Sequence, residues 1–378
     1  MKIAFTGGGT GGHFYPLIAI AEAVQDLARE ERLIMPQLYF LAPAPFDEKA
    51  LFENQITFIK IPAGKLRRYA SAANLTSWLA TLMGTLKALS LLLRIYPDVV
   101  ISKGGYGSVP TVLAAHFLRI PIIVHESDAK PGRANLLAAR YAAKIAITFD
   151  SAAKYFPKGV QKRIARTGMP VRKALARVEK EGAQQYLGLD KDVPTVLILG
   201  GSQGSQRIND TVLRALPELV ETANVIHQTG TQNFKETKGI AAVALQKSPH
   251  ADRYHPFDYL SALSLERAAG AADVVVSRAG ATSLAEIALW KKPAIIIPIP
   301  EAVSHDQKLN AYAYAGTGAG EVIEEENLSP NLLVSEVRRI LHDSALAKKM
   351  GDSAEGFTDP DAAKVIAKEA LSIALSHE

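Results

Sequence analysis

Short aliphatic runs recur along the chain, each closing on glycine or a polar turn: Lys2 to Thr6, Leu38 to Leu41, Val99 to Ser102, Ile120 to His125 and Ile145 to Thr148. Between them lie longer stretches with apolar residues at helical spacing, so the pattern predicts parallel strands joined by crossover helices. A second series starts at Thr195 to Leu199 and continues through Val225 to Thr229, Val274 to Ser277 and Ala294 to Ile297. Two α/β units in tandem follow, and 378 residues with 48% hydrophobic content supply core enough for both. The junction is expected near Arg166 to Arg172, where Gly168 and Pro170 disfavour regular structure, giving domains 1–166 and 167–359. A final helical stretch, Pro360 to Ser376, is expected to return to the first domain, which then includes a helix at about 360–378.

Each series opens with the same device, a strand running into glycines and then a helix: Gly7-Gly8-Gly9-Thr10-Gly11-Gly12-His13 and Gly200-Gly201-Ser202-Gln203-Gly204-Ser205. A loop without side chains lets the backbone approach an anion, and the helix behind it aims free N–H groups and a positive dipole end at the same point. Two such loops at two domain starts suit a pyrophosphate substrate. A nicotinamide cofactor is disfavoured, because the strand that would carry its ribose-binding acid ends Leu41-Ala42-Pro43. Neither loop matches GxGxxG cleanly, and the absence of a following Gly-Lys-Ser or Gly-Lys-Thr argues against a P-loop. A further strand ends in Ser277-Arg278-Ala279-Gly280, where Ala281, Thr282 and Ser283 open a helix whose N-terminus would meet phosphate. Glu286 lies about a turn inside that helix, placed to accept from both hydroxyls of a ribose or merely to complement the dipole.

Charge divides the chain. Of 43 Lys+Arg and 38 Asp+Glu, residues 1–165 hold 20 and 11, leaving 23 and 27, so the halves carry +9 and −4. The first half is therefore expected to face an anionic partner, nucleic acid or an acidic membrane leaflet. With no cysteine, disulfides, thiolate nucleophiles and Cys-ligated zinc drop out, which fits a reducing compartment. No basic segment followed by a cleavable apolar one opens the sequence, so secretion is not expected. The span Leu79 to Ile95 is interrupted by Lys87 and Arg94 and is expected to fall short of the ~20 residues a membrane-crossing helix needs. Near it stand Lys65, Arg67 and Arg68, then Trp78, Leu79, Leu82, Met83, Leu86 and Leu89. Apolar residues at this spacing ordinarily form core. Left exposed beside the basic residues, they would instead make a peripheral membrane contact. No recognised nucleic-acid-binding module is present.

Taken in order, the motifs resemble the MurG family, the transferases that add N-acetylglucosamine from its UDP donor to undecaprenyl-pyrophosphoryl-muramyl peptide. The matching stretches are Gly8-Gly9-Thr10-Gly11-Gly12-His13 with Pro16, Gly104-Gly105-Tyr106 with Pro110, His125-Glu126 with Gly132 and Asn135, and Gly168 with Pro170-Val171-Arg172. They continue through Gly200-Gly201-Ser202-Gln203-Gly204, Arg278-Ala279-Gly280-Ala281 with Glu286, and Gln307 with Asn310-Ala311, covering nearly the whole chain.

The resemblance implies an α/β fold of GT-B type, two Rossmann-like domains whose parallel sheets face a central cleft, with the acceptor on the first domain. It implies an inverting hexosyltransferase, peripheral at the cytoplasmic face of the inner membrane, with no tightly bound cofactor, no metal and no nucleic-acid partner. By carry-over, Glu286 holds the ribose, Ser202 and its loop amides meet the phosphates, Arg172 lies near the nucleotide, and the backbone at Asp258 reads the uracil edge. Asp128, Asp306 and Gln307 face sugar hydroxyls, while Thr10, Gly11 and Gly12 line the donor–acceptor junction. Glu126, with His125, binds the acceptor or orders a loop. An imidazole suits removal of the acceptor 4-hydroxyl proton near neutral pH, which points to His13. Asp359-Pro360-Asp361, an Asp-x-Asp, reads as a helix cap.

Three positions depart from the family pattern: Asp128 replaces an asparagine, Met169 replaces the asparagine of a Gly-Asn-Pro turn, and Asp306 stands where histidine or glutamine is common. A carboxylate in place of an amide removes N–H donors, so discrimination among donor hydroxyls is expected to differ. A UDP-sugar 2-epimerase of the same architecture and a non-catalytic lipid-pyrophosphate-binding protein are the competing readings.

Overall fold

The computed structural model describes residues 1–65, 73–201, 203–301 and 306–376. The chain divides into two compact units, Met1–Arg172 with Asp359–Glu378, and Lys173–Thr358.

The first unit is built on seven parallel strands: β1 (Lys2–Thr6), β2 (Gln37–Ala42), β3 (Ile56–Lys60), β4 (Val99–Ser102), β5 (Ile122–Glu126), β6 (Lys144–Ile147) and β7 (Ile164–Arg166), in the order β3-β2-β1-β4-β5-β6-β7. Its central strands are aliphatic throughout because helices cover both faces. Helices α1 (Gly11–Glu30), α2 (Ala73–Ile95), α3 (Val109–Phe117) and α4 (Arg133–Ala138) belong to this unit. One face packs Phe14, Leu17 and Val24 of α1, and the other packs Ala88 and Leu92 of α2 with Val112 and Ala115 of α3.

The second unit repeats the plan with β8 (Thr195–Leu199), β9 (Asn224–Gln228), β10 (Tyr254–Phe257), β11 (Val274–Ser277), β12 (Ala294–Ile296) and β13 (Gly320–Val322), ordered β10-β9-β8-β11-β12-β13. Its helices include α5 (Gln206–Thr222), α6 (Ala281–Trp290) and α7 (Gln307–Ala315). In each unit the strand order reverses direction beside the first strand, between β1 and β4 and between β8 and β11. Such a switch point, outside the carboxyl ends of the strands, is where doubly wound sheets bind ligands.

Helix α8 (Ala362–Leu375) returns to the first unit, burying Ile366, Ala367, Ala370 and Leu371 in the core that α1 lines. Asp359 accepts from the Asp361 amide at 2.8 Å, turning that carboxylate to the start of α8.

The division between units falls after Arg172. Thr167 and Gly168 donate their amides to the Ile147 carbonyl, the Gly168 carbonyl faces the His125 ring at 3.0 Å, and Thr148 meets the Met169 sulfur. These contacts tie 167–172 to the first sheet. Met169 is fully buried there, so an apolar side chain fills the turn.

One expectation about α2, the length of its apolar span, is overturned. It is longer than the span read from the sequence, and residues Leu75–Ile95 are long and apolar enough by length and composition to cross a membrane. It is nonetheless docked on the sheet through Ala88 and Leu92. Of the two alternatives for its apolar stripe, core or exposed edge, most of the stripe takes the second: Trp78 is 63% exposed, Leu79 58% and Leu82 57%, with Met83 and Leu86 similarly bare.

Candidate functional site

The first switch point is formed by the loops after β1, β4 and β5. Thr10 stands at the N-cap position of α1, but its side chain makes no cap bond; its Oγ1 lies 2.9 Å from His13 Nδ1. That contact fixes the imidazole so that Nε2 turns toward the loop after β4. A β-carbon at Gly105 would sit 3.5 Å from His13 Nε2 and 2.9 Å from the Gly8 carbonyl, and its φ of +76° also favours glycine. Gly11 is buried and Gly12 exposed on the same helical turn.

Behind the imidazole lies a buried charge group. Glu126 Oε1 accepts from the Asp128 amide at 2.9 Å, and Oε2 accepts from the Gly132 amide at 3.0 Å and Asn135 Nδ2 at 2.9 Å. The carboxylate is thus spent on the turn from 126 to 132, and its role is to order that loop. Burial, and then Asp128, push Glu126 up to about 7, against the pull of Lys103, the Asp128 amide and Asn135.

Lys103, directly after β4, is 1% exposed, and burial lowers its affinity for its proton while Glu126 and Asp128 oppose that. Burial first, and Lys103 second, hold half-buried His13 down to about 4, with Asp128 pulling the other way. His125 is fully buried and held well below its usual value, again by burial and then Lys103. Both rings are uncharged near neutral pH.

Arg172 places its guanidinium 3.8 Å from the centre of the Tyr15 ring on α1, whose hydroxyl donates to Asp47 at 3.1 Å. The first unit thus gathers Thr10, Gly11, Gly12, His13, Glu126, Asp128 and Arg172 around the start of α1 and the turn after β5.

The second switch point is built from the loop after β8 and the start of α6. Ser202 lies outside the described residues. A β-carbon at Gly204 would meet the Thr229 carbonyl at 2.1 Å, so this glycine serves close backbone packing, whereas Gly201 faces open space. Arg278 is saturated: it donates to the Ile297 and Pro298 carbonyls at 3.2 and 3.3 Å, to Ser205 Oγ at 2.5 Å, and to Glu325. Ser205 in turn caps α5 by accepting from the Ile208 amide.

Ala281, Thr282 and Ser283 form the first turn of α6, where N–H groups have no intrahelical acceptor. Glu286, buried, stands one turn further along. Asn310 of α7 donates to the Ala279 carbonyl at 3.3 Å, joining α7 to this loop. Gln307 Oε1 accepts from the Ile299 amide at 3.3 Å, which leaves its Nε2 as the group able to reach a ligand, and Asp306 precedes it at the N-cap of α7. Asp258 stands apart at the end of edge strand β10, its carboxylate turned to the Tyr259 amide at 2.7 Å.

Of the membrane-contact candidates, Lys65 is exposed, Trp78, Leu79 and Leu82 are bare on α2, and Arg67 and Arg68 lie outside the described residues.

Sequence reasoning passed over Lys103 and the packing of Arg172 on Tyr15. The available signal for the first was a lysine directly following four fully buried strand residues.

A glycine loop and a helix N-terminus at the switch point of each of two doubly wound units define the scaffold of a two-domain nucleotide-sugar transferase. The glycosyltransferase family 28 N-terminal domain matches residues 3–147, and the family's C-terminal domain matches 195–366. A UDP-N-acetylglucosamine–N-acetylmuramyl-(pentapeptide) pyrophosphoryl-undecaprenol N-acetylglucosamine transferase of Lachnospira eligens is 37% identical over 344 residues, 90% of this chain and 91% of that one. The same-named enzyme of Halothermothrix orenii is 35% identical, covering 95% of each chain. The chain belongs to this family of hexosyltransferases, the MurG family. Among solved structures, Acinetobacter baumannii MurG superposes with a TM-score of 0.71 at 24% identity, covering 98% of this chain and 99% of that one. A Neisseria meningitidis UDP-GlcNAc 2-epimerase bound to UDP-GlcNAc gives 0.68 at 14%, over 98% and 100%. At those identities the likeness is one of fold.

Proposed function

We propose that the protein transfers N-acetylglucosamine from UDP-N-acetylglucosamine to the 4-hydroxyl of the muramyl sugar of undecaprenyl-pyrophosphoryl-N-acetylmuramyl peptide, with inversion and with His13 as general base. The observation that carries the base assignment is the Thr10–His13 contact at 2.9 Å, which holds an uncharged ring with Nε2 directed at the Lys103–Gly105 loop. In the transfer step Nε2 takes the hydroxyl proton as the oxygen bonds to the anomeric carbon. The bond to the UDP β-phosphate oxygen breaks, and UDP leaves with its electron pair.

The second unit holds the donor. Amides at Ala281, Thr282 and Ser283, with Ser202 and its loop, receive the phosphates, Glu286 holds the ribose, Asp258 offers its backbone to uracil, and Gln307 and Asp306 meet the sugar. The charge developing on UDP is met by these N–H groups without a divalent ion. Asp128 and Asp306, carboxylates where the family pattern has other side chains, set the discrimination among sugar hydroxyls.

Exposed Trp78, Leu79 and Leu82 beside Lys65 support peripheral attachment to an anionic leaflet, at the cytoplasmic face where a UDP-sugar is available.

The test is UDP release from UDP-N-acetylglucosamine, UDP-N-acetylgalactosamine and UDP-glucose, in chelator, with and without a lipid-pyrophosphoryl-muramyl acceptor analogue. Release that requires the acceptor, survives chelation and falls by about 100-fold or more in His13→Ala is expected. Release without acceptor would replace this reading with the epimerase. In the same preparations, Leu79→Ser/Leu82→Ser should leave anionic vesicles on sedimentation while wild type stays bound; equal binding would remove the membrane role of α2.

A further inference from the structure

Lys103 is a charged group at the first switch point to which neither the transfer step nor the ordering of a loop gives a role. Its ammonium is buried and has no hydrogen-bond partner among the described residues. An ammonium taken out of water without a partner is costly, and most buried lysines are paired. Yet the groups facing it are charged or chargeable: His13 from α1, His125 and Glu126 from β5, and Asp128 from the turn after β5. Glu126 is already held by three N–H donors, so Lys103 is not needed to satisfy it. His13 packs on the loop that Lys103 opens, through the approach to Gly105.

We propose that Lys103 is a positioning residue of the transfer reaction, a buried ammonium at the start of the loop against which the His13 ring packs, through which the protein tunes its base. This rests on the assignment of His13 as base. Burial has the largest hand in lowering the ring's proton affinity; after it, Lys103 repels a proton from the ring and Asp128 attracts one. An imidazole that already carried a proton could accept none, so a lone cation here protects the reactive form when pH falls.

The test is a titration of the His13 Cε1–H resonance in the full, ligand-free chain, assigned by its loss in His13→Ala. Lys103→Met, which keeps the length of the side chain and removes the charge, should raise the midpoint by about one pH unit, a tenfold gain in proton affinity. The acid limb of kcat/KM should move up with it, and Asp128→Asn should move both the other way. An unmoved midpoint with activity reduced equally at every pH would overturn the proposal. Should Lys103→Met fail to fold, Lys103→Gln repeats the measurement, and loss of the fold in both assigns Lys103 to stability and overturns it too. His13→Ala separates the failures: full transfer without His13 removes the base assignment, whereas a dead His13→Ala with an unmoved midpoint in Lys103→Met removes the role of Lys103 alone.

Discussion

The two units leave their fourth strand in nearly the same way. Val99-Val100-Ile101-Ser102 runs into Lys103-Gly104-Gly105, and Val274-Val275-Val276-Ser277 runs into Arg278-Ala279-Gly280, with all eight strand residues buried. A cation therefore stands at the same step of the same topology twice. Arg278 spreads its planar donors over two carbonyls, a helix-capping serine and Glu325, and ties the loops of its switch point together. Lys103 makes no such bonds and acts on its surroundings only through space. The difference follows from side-chain chemistry: a guanidinium fork suits saturation by several fixed acceptors, and a compact ammonium is a point charge. One unit uses the position as a strut, the other as the source of a field.

Removing the strut should have the larger consequence for stability. Arg278→Met leaves Glu325 without its partner and Ser205 with only the Ile208 amide as donor, in surroundings where the two charged side chains are only 11% and 20% exposed. A loss of about 3 kcal/mol is expected in urea unfolding of the full chain at pH 7, because breaking a largely buried pair strands the remaining charge. Lys103→Met should lose clearly less, since no bonded partner is stranded. If the two variants are equally destabilised, the distinction between strut and field collapses.

A second contrast concerns where the buried histidines sit. In the first unit, His13 and His125 line the switch point; in the second, His227 lies in β9, between Tyr254 and Asn209 at 3.1 Å each. Burial holds His227 down to about 3 from its usual 6.5. The unfolded chain therefore takes up this proton first as pH falls. The stability His227 contributes is fully present above pH 6.5 and is lost progressively as pH drops from there toward 3. Between pH 6.5 and 5 the loss amounts to about 2 kcal/mol. His227→Gln, which can still bond both neighbours, should flatten that part of the urea-stability profile without moving the pH dependence of transfer. An unchanged slope would show that His227 takes up no proton in that window.

The hydrophobic pattern revealed the interior of both sheets and missed their margins, for a physical reason. The strands read directly are central ones, aliphatic because neighbours and helices surround them. The four passed over, β3, β7, β10 and β13, are the four sheet edges. Edges pair on one side only and tolerate mixed composition: Ile56-Thr57-Phe58-Ile59-Lys60 is half exposed, Tyr254-His255-Pro256-Phe257 contains a proline that would cost a ladder bond in a central strand, and β7 and β13 are three residues each. The glycine loops, His13 and Glu286 were legible because local spacing marks them. Lys103 was not, since a lysine before two glycines reads as a surface turn and only the closure of β5 over it makes it buried. For α2 the sequence left two alternatives, because helical spacing predicts an apolar face but not whether anything covers it.

The smallest effect expected bears on how the first switch point holds its base. For Nε2 of His13 to receive a proton, Nδ1 must carry the ring's own hydrogen, and the group placed to accept it is Thr10 Oγ1 at 2.9 Å. Thr10 occupies the N-cap position yet gives its side chain to the ring and none of it to the helix backbone, so its removal should alter stability little. Thr10→Val keeps the shape and deletes the acceptor. The ring then loses the bond that selects its tautomer, a contribution of about 1 kcal/mol, and kcat should fall roughly fivefold with KM unchanged. Thr10→Ser should restore it. A loss of melting temperature in Thr10→Val with kcat intact would return Thr10 to ordinary capping, and the imidazole would then be oriented by its packing on Gly105 alone.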